Sequence, residues 1–243
     1  MWGPQWETFP RAYRTIRYDL RGYGRSPFPS GPYSHARDLL TLLDELEVER
    51  ASLVGASVGG RIALEVALAR PTVVDALVLV GSGLSGHSWS EETTSAWKRE
   101  EDVFERGDLD EAVEVALRLW VDGPRRAPED VDPDVREFVG TMQRSAYELE
   151  RSAGRAPEEE LLVPNLAERL GEIAAPTLVL AGEEDVPDIR AIADRLADGI
   201  PGARRAVIPA AAHVPSLERP REFDDLVLPF LLPAGRQSRA PEV

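Results

Sequence analysis

The stretch that most constrains this chain runs from Ala51 to Ala69, ASLVGASVGGRIALEVALA. An apolar run with Leu53 and Val54 enters Gly55-Ala56-Ser57-Val58-Gly59, and a proline-free, helix-forming run leaves it. The pattern predicts a buried strand, a sharp turn at Ser57 and a helix. Pro71 then breaks the helix, and a second apolar run, Ala76 to Val80, completes a β-α-β unit. Such a unit belongs to a parallel sheet flanked by helices, an α/β architecture. Glycines two residues before and two after Ser57 predict a backbone tight enough to push the serine side chain out of the turn. With 19 glycines and 14 serines in 243 residues, this spacing arises by chance about 0.1 times. The strand before it and the helix after it therefore carry more weight than the motif alone.

Composition excludes several classes of function. At 243 residues and 43% hydrophobic content, the chain can bury one sizeable core with a smaller layer attached. A net charge of −15 repels nucleic acid and anionic membrane surfaces, so neither is expected as a partner. Lys98 is the only lysine, which leaves the other 27 of the 28 basic residues as arginine. Without cysteine there is no disulfide, no thiolate nucleophile and no Cys-ligated metal. The three histidines are far apart and form no H-E-x-x-H pattern, so no metal site is expected. No apolar run approaches a membrane span, and the N-terminus lacks a basic region followed by an apolar one, which predicts a cytoplasmic protein.

Read in order, Met1 to Ala12 is a short aromatic helix, and Thr15 to Asp19 reads as a first strand. The loop Asp19-Leu20-Arg21-Gly22-Tyr23-Gly24-Arg25-Ser26-Pro27 follows, and then Ser34 caps a helix through Val48 with Leu39, Leu42, Leu43 and Leu46 on one face. Together Asp19-x-Arg-Gly-x-Gly-x-Ser26, this helix, the Gly55–Gly59 turn and the following strand resemble the α/β hydrolases over nearly the whole chain. Within them the chain resembles small bacterial esterases and enol-lactonases that carry a helical cap. The resemblance implies that the Asp19–Ser26 loop shapes the surroundings of the site and is not itself catalytic. It also implies that Ser57 is a nucleophile and that an inserted cap follows the strand after it.

The region from His87 to Leu166 fits that cap. It shows no strand pattern and three helical segments, Ser90 to Phe104, Leu109 to Trp120 and Pro133 to Leu149, with breaks at Gly123-Pro124 and Ala127-Pro128. Domains are accordingly expected at 1–86 (first part of the core), 87–166 (cap), 167–233 (second part of the core) and 234–243 (frayed tail). Trp89, Trp97, Trp120, Phe138, Met142 and Tyr147 are candidates both for a pocket lining and for cap packing. Arg99, Arg118 and Arg144 are candidates for holding a substrate carboxylate. The core resumes with a strand Pro176 to Ala181, a helix Pro187 to about Leu196, a strand Arg205 to Ile208 and a last helix from Pro220 to near Pro233.

A serine hydroxyl needs a base to take its proton and an acid to hold that base in the right tautomer. His213 alone lies in a loop after a core strand; His35 and His87, in a first helical turn and at the cap hinge, are expected to be exposed. By position alone, Glu183, Glu184, Asp185 and Asp188 all qualify as the acid. The resemblance places it at the aspartate of Gly182-x-x-Asp185. The predicted triad is thus Ser57, Asp185 and His213, with the Val58 N–H as one oxyanion donor and no cofactor. The resemblance implies hydrolysis of a small carboxylic ester or lactone through an acyl-serine. A carbon–carbon bond hydrolase with the same triad is the alternative. Epoxide hydrolases and haloalkane dehalogenases carry aspartate at the position of Ser57.

One part of the family pattern is missing. The second oxyanion donor comes from a His-Gly loop after an early strand lying between the equivalents of Thr15–Asp19 and Ser52–Ala56, and no such strand or loop occurs here. About 30 to 40 residues of strands and turns are expected upstream. The preferred expectation is a natural start before Met1, and the other is an inactive or ligand-binding homologue. Loss of one donor costs about a hundredfold to a thousandfold in rate.

Overall fold

Apolar segments bounded by glycine and proline pair into one sheet in this computed structural model, which describes residues 1–154 and 156–232. Strands β1 (Ala51–Ala56), β2 (Val74–Val80), β3 (Thr177–Gly182) and β4 (Arg204–Ile208) lie side by side in that order. All three pairings are parallel, with Leu79 opposite Val179 and Leu180 opposite Ala206. Every residue of β3 is buried, and so is every residue of β2 except Asp75. Strands covered on both faces read as continuous apolar runs, which is why these two were legible in the sequence.

Alternation along β2 sends Leu77 and Leu79 to one face and Val78 and Val80 to the other. The first face is covered by α3 (Val58–Ala69) and α7 (Pro187–Gly199), whose Ile62, Val66, Ile189 and Leu196 join Leu77 and Leu79 in the main core. Behind α3 lies α2 (His35–Glu45), capped by Ser34, whose hydroxyl accepts the Arg37 N–H. The opposite face is covered by the last helix, α9 (Pro220–Leu231), and by residues next to α1 (Gly3–Thr8); Phe9, Phe223 and Val227 pack on Val78 and Val80.

Between β2 and β3 the chain leaves the sheet to build α4 (Glu91–Glu105), α5 (Leu109–Leu117) and α6 (Pro133–Ala153). These helices surround their own apolar cluster, with Val103, Leu109, Ala112, Val113 and Tyr147 buried in it. All connections run between adjacent parallel strands, so the C-terminal ends of β1 to β4 open on one side of the sheet.

Some expectations are corrected. No strand forms at Thr15–Asp19: the segment pairs with no strand, and Ile16 and Tyr18 are 39% and 40% exposed. Strand β1 has β2 on one side and no strand neighbour on the other among the described residues. An alternating apolar segment becomes a strand only where another backbone satisfies its N–H and C=O groups. Helix α2 ends at Glu45 rather than Val48, and a short helix, α8 (Pro215–Glu218), precedes α9. The frayed tail expected at 234–243 lies outside the described residues.

Candidate active site

The turn at Ser57 has the geometry expected of it. Ser57 has φ 53° and ψ −116°, a conformation that costs a non-glycine residue about 1–3 kcal/mol and is kept at functional sites. Its hydroxyl makes no capping bond to the helix it starts. Two backbone hydrogen bonds hold it to the end of β2: Ser57 N–H donates to the Val80 carbonyl at 2.9 Å, and Gly83 N–H donates to the Ser57 carbonyl at 2.9 Å. Gly55 is needed because a Cβ there would lie 2.2 Å from the Gly59 carbonyl oxygen. Gly59 is not the second tight position, since a Cβ there would meet nothing within 4 Å. Gly60 is, because a Cβ would come within 2.3 Å of Ser82 Oγ. Val58 opens α3, so its N–H belongs to the first turn, where amides have no partner within the helix.

His213 and Asp185 meet at the same strand end. His213 Nδ1 lies 2.9 Å from Asp185 Oδ2, and both side chains are buried, at 8% and 1% exposure. Asp185 Oδ1 accepts the Val186 N–H at 2.8 Å, which fixes the carboxylate plane. A carboxylate accepts, so Nδ1 carries the hydrogen and Nε2 is left as the free lone pair. Gly81, next to Val80, passes beneath the pair with φ 49°; a Cβ there would lie 3.1 Å from His213 Nδ1 and 3.3 Å from Asp185 Oδ2. Four residues at the end of β2, Val80 to Gly83, thus touch the serine backbone and the histidine–aspartate pair together. Gly81 carried no signal of this role in the sequence, where it reads as one of several small residues.

The other acids are engaged elsewhere. Glu183 accepts the Ala210 N–H, and Glu184 pairs with Arg125 at 2.9 Å. Asp188 ties the start of α4 to the core: it accepts from Ser90 Oγ and Thr93 Oγ1, each at 2.6 Å, from the Ser90 N–H at 3.0 Å, and faces His87 Nε2 at 3.2 Å. Burial alone would raise the Asp188 carboxyl, but these bonds together hold it down to about 2. A depressed carboxyl contributes stability above its unfolded value, near 3.8, and loses it as pH falls through 2. Asp188→Asn should therefore lose about 2 kcal/mol relative to wild type at pH 5. Urea unfolding at pH 5, 3 and 2 should show that gap shrinking as pH falls; a gap independent of pH would refute the assignment.

His87 is thus a partner of Asp188, and His35 is 3% exposed against Tyr33. Neither has the exposure expected of it, because an aromatic ring lies edge-on against each imidazole, Tyr33 against His35 and Trp89 against His87, and Asp188 holds the His87 ring at Nε2. The three arginines proposed for a substrate carboxylate are also engaged, Arg99 with Glu111, Arg118 with Glu114 and Asp122, and Arg144 with Asp110. Among the six aromatic and methionine candidates, only the tryptophans lead to the site. Trp89, Trp97 and Trp120 form a row with centroids 4.6 and 6.3 Å apart, and Trp120 ends the row 4.5 Å from the His213 ring. Phe138 is 45% exposed, Met142 Sδ meets the N-terminal amine, and Tyr147 turns into the helical cluster to bond Glu100.

Comparison with known proteins bears on the fold and the family. The family model described as the alpha/beta hydrolase fold matches residues 2–220. The chain belongs to the α/β hydrolases. RutD of Rhizobium rhizogenes, provisionally assigned as a carbamate hydrolase, is 30% identical over 95% of this chain and 87% of its own. A solved hydrolase from Pseudomonas aeruginosa PA01 is 32% identical, with a TM-score of 0.75 over 95% of this chain and 84% of its own. The structure of Est816, described as an N-acyl homoserine lactone degrading enzyme, is 31% identical, with a TM-score of 0.72 over 95% and 88%. Like these relatives, this chain is a hydrolase. No helix among the described residues is long and apolar enough to cross a membrane.

Proposed function

We propose that this α/β hydrolase cleaves a small carboxylic ester or lactone through an acyl-serine at Ser57. The observation that carries the reading is the buried His213–Asp185 pair, 2.9 Å apart, on the strand end that also holds the Ser57 backbone. Ser57 Oγ attacks the carbonyl carbon while its proton passes to His213 Nε2, and Asp185 stabilises the imidazolium that results. The tetrahedral oxyanion is met by the Val58 N–H at the positive end of α3. Collapse breaks the bond to the leaving oxygen, which departs as an alcohol carrying the proton from His213. Water then gives a proton to His213 and attacks the acyl carbon, which releases the acid and restores the serine. Nothing in this sequence of steps needs a cofactor.

The names of two of the relatives, RutD and Est816, support the substrate class. Carbamates and acyl homoserine lactones both present a carbonyl carbon bonded to a heteroatom leaving group, the bond this chemistry breaks. The reading is tested with a fluorophosphonate and a substrate panel. Ser57 should be the labelled residue by peptide mass, and simple esters or lactones should turn over faster than a dienoic diketone. Label on another serine would sink the nucleophile assignment, and preference for the diketone would transfer the site to carbon–carbon bond hydrolysis.

A further inference from the structure

The helical layer between β2 and β3 and the loop carrying His213 hold one another in both directions. After Leu117 the chain opens into a five-residue π turn, Arg118–Asp122, a device that shifts side chains off the helical register and recurs at functional sites. From that turn Trp120 tilts 40° over the imidazole of His213, with ring centroids 4.5 Å apart, and its carbonyl accepts the His213 N–H at 3.1 Å. In return Val214, the residue after the histidine, is buried in the apolar cluster of the helical layer.

Arg126, 12% exposed, closes the arrangement. It donates to the Val121 and Asp122 carbonyls of the π turn and to the Ala210 carbonyl of the histidine loop. It also pairs at 2.8 Å with Glu218, whose other oxygen accepts the Ala212 N–H at 2.7 Å. Gly123 lets the turn press on the loop of the acid, since a Cβ there would come within 2.3 Å of the Glu184 carbonyl oxygen.

We propose that Trp120 is a positioning residue for His213, fixing the plane of the imidazole with its indole face and the path of the histidine backbone with its carbonyl. The inference rests on the reading of Ser57, His213 and Asp185 given above. A single bond from Nδ1 to Asp185 fixes the tautomer but leaves the ring free to tilt about that bond. An indole on one face removes this freedom, and its negative π face favours the imidazolium formed when Ser57 gives up its proton.

Trp120→Met and Trp120→Phe separate positioning from pocket lining, because methionine keeps apolar bulk without a ring face. Trp120→Met should lower kcat about 10- to 100-fold on short- and long-chain esters alike, with KM little changed. Fluorophosphonate labelling, which needs no acyl pocket, should slow by the same factor, while Trp120→Phe should recover most of both rates. In protein labelled with ¹³C-histidine, the His213 ring signals should be displaced by the indole ring current in wild type and return toward ordinary positions in Trp120→Met. Phe138→Ser, on an exposed part of the helical layer, should change none of these.

A KM increase confined to long acyl chains, with kcat and labelling rate unchanged, would make Trp120 a pocket wall and overturn the inference. If wild type neither turns over nor labels, the functional reading falls, and the His213 signals still decide the placement. Undisplaced wild-type signals overturn it even without a folded Trp120→Met.

Discussion

Ser57→Ala should abolish hydrolysis, with a loss in kcat on the order of 10⁵- to 10⁶-fold. The fold should survive, because the Ser57 hydroxyl caps no helix and the two bonds that pin the turn, to Val80 and Gly83, belong to the backbone. Alanine accepts the φ of 53° about as well as serine does, so the urea midpoint should barely move. The loss is then chemical: without Oγ, the attacking atom must be a water that nothing at the elbow positions. Ser82 is a buried serine at this strand end, but its hydroxyl already donates to the Gly83 carbonyl at 2.9 Å and it packs against Gly60 rather than a base. Ester turnover by the Ser57→Ala variant at a tenth of the wild-type rate would therefore remove Ser57 from the mechanism, not shift its role to a neighbour.

What the sequence disclosed follows from how each feature is encoded. The strands β2 and β3 were legible because burial on both faces demands an unbroken apolar run, and glycine or proline marks where each run stops. The elbow was legible for the same local reason, although the glycine that meets Ser82 proved to be Gly60, one residue beyond the motif. Thr15–Asp19 failed because a strand exists through its neighbour, and a neighbour is not written in the segment itself. The first turn of a helix gives no sign that His35 is buried, because the Tyr33 ring that covers it does so through a contact that helical periodicity does not encode. The closeness of Asp185 to His213 was chosen from four candidate acids by family likeness, since the four differ in spatial surroundings and not in residue type or local spacing. Trp120 could be named as an aromatic of the helical layer, but its place over His213 depends on a π turn and on Arg126, neither of which leaves a periodic signal.

Asp185→Asn is the sharper test of that choice, since it changes one proton and little else. Asp185 is 1% exposed and uses both oxygens, one accepting the Val186 N–H at 2.8 Å and one facing His213 Nδ1 at 2.9 Å. Asparagine has a single carbonyl oxygen, and the Val186 N–H claims it, so the amide nitrogen is turned toward the imidazole. Two donors cannot face one another, and the imidazole answers by moving its hydrogen to Nε2, where it blocks the lone pair that must accept the Ser57 proton. The expected loss in kcat is about 10⁴-fold, with stability close to wild type because the side chains have the same shape. Glu184→Gln removes a carboxylate one residue away whose partner is Arg125, and its turnover should stay near wild type. If Glu184→Gln were as damaging as Asp185→Asn, the effect would be one of local charge and the tautomer argument would fail. If Asp185→Asn kept most of its activity while labelling at Ser57 persisted, the base would not depend on this aspartate, and the 2.9 Å contact would be a packing contact alone.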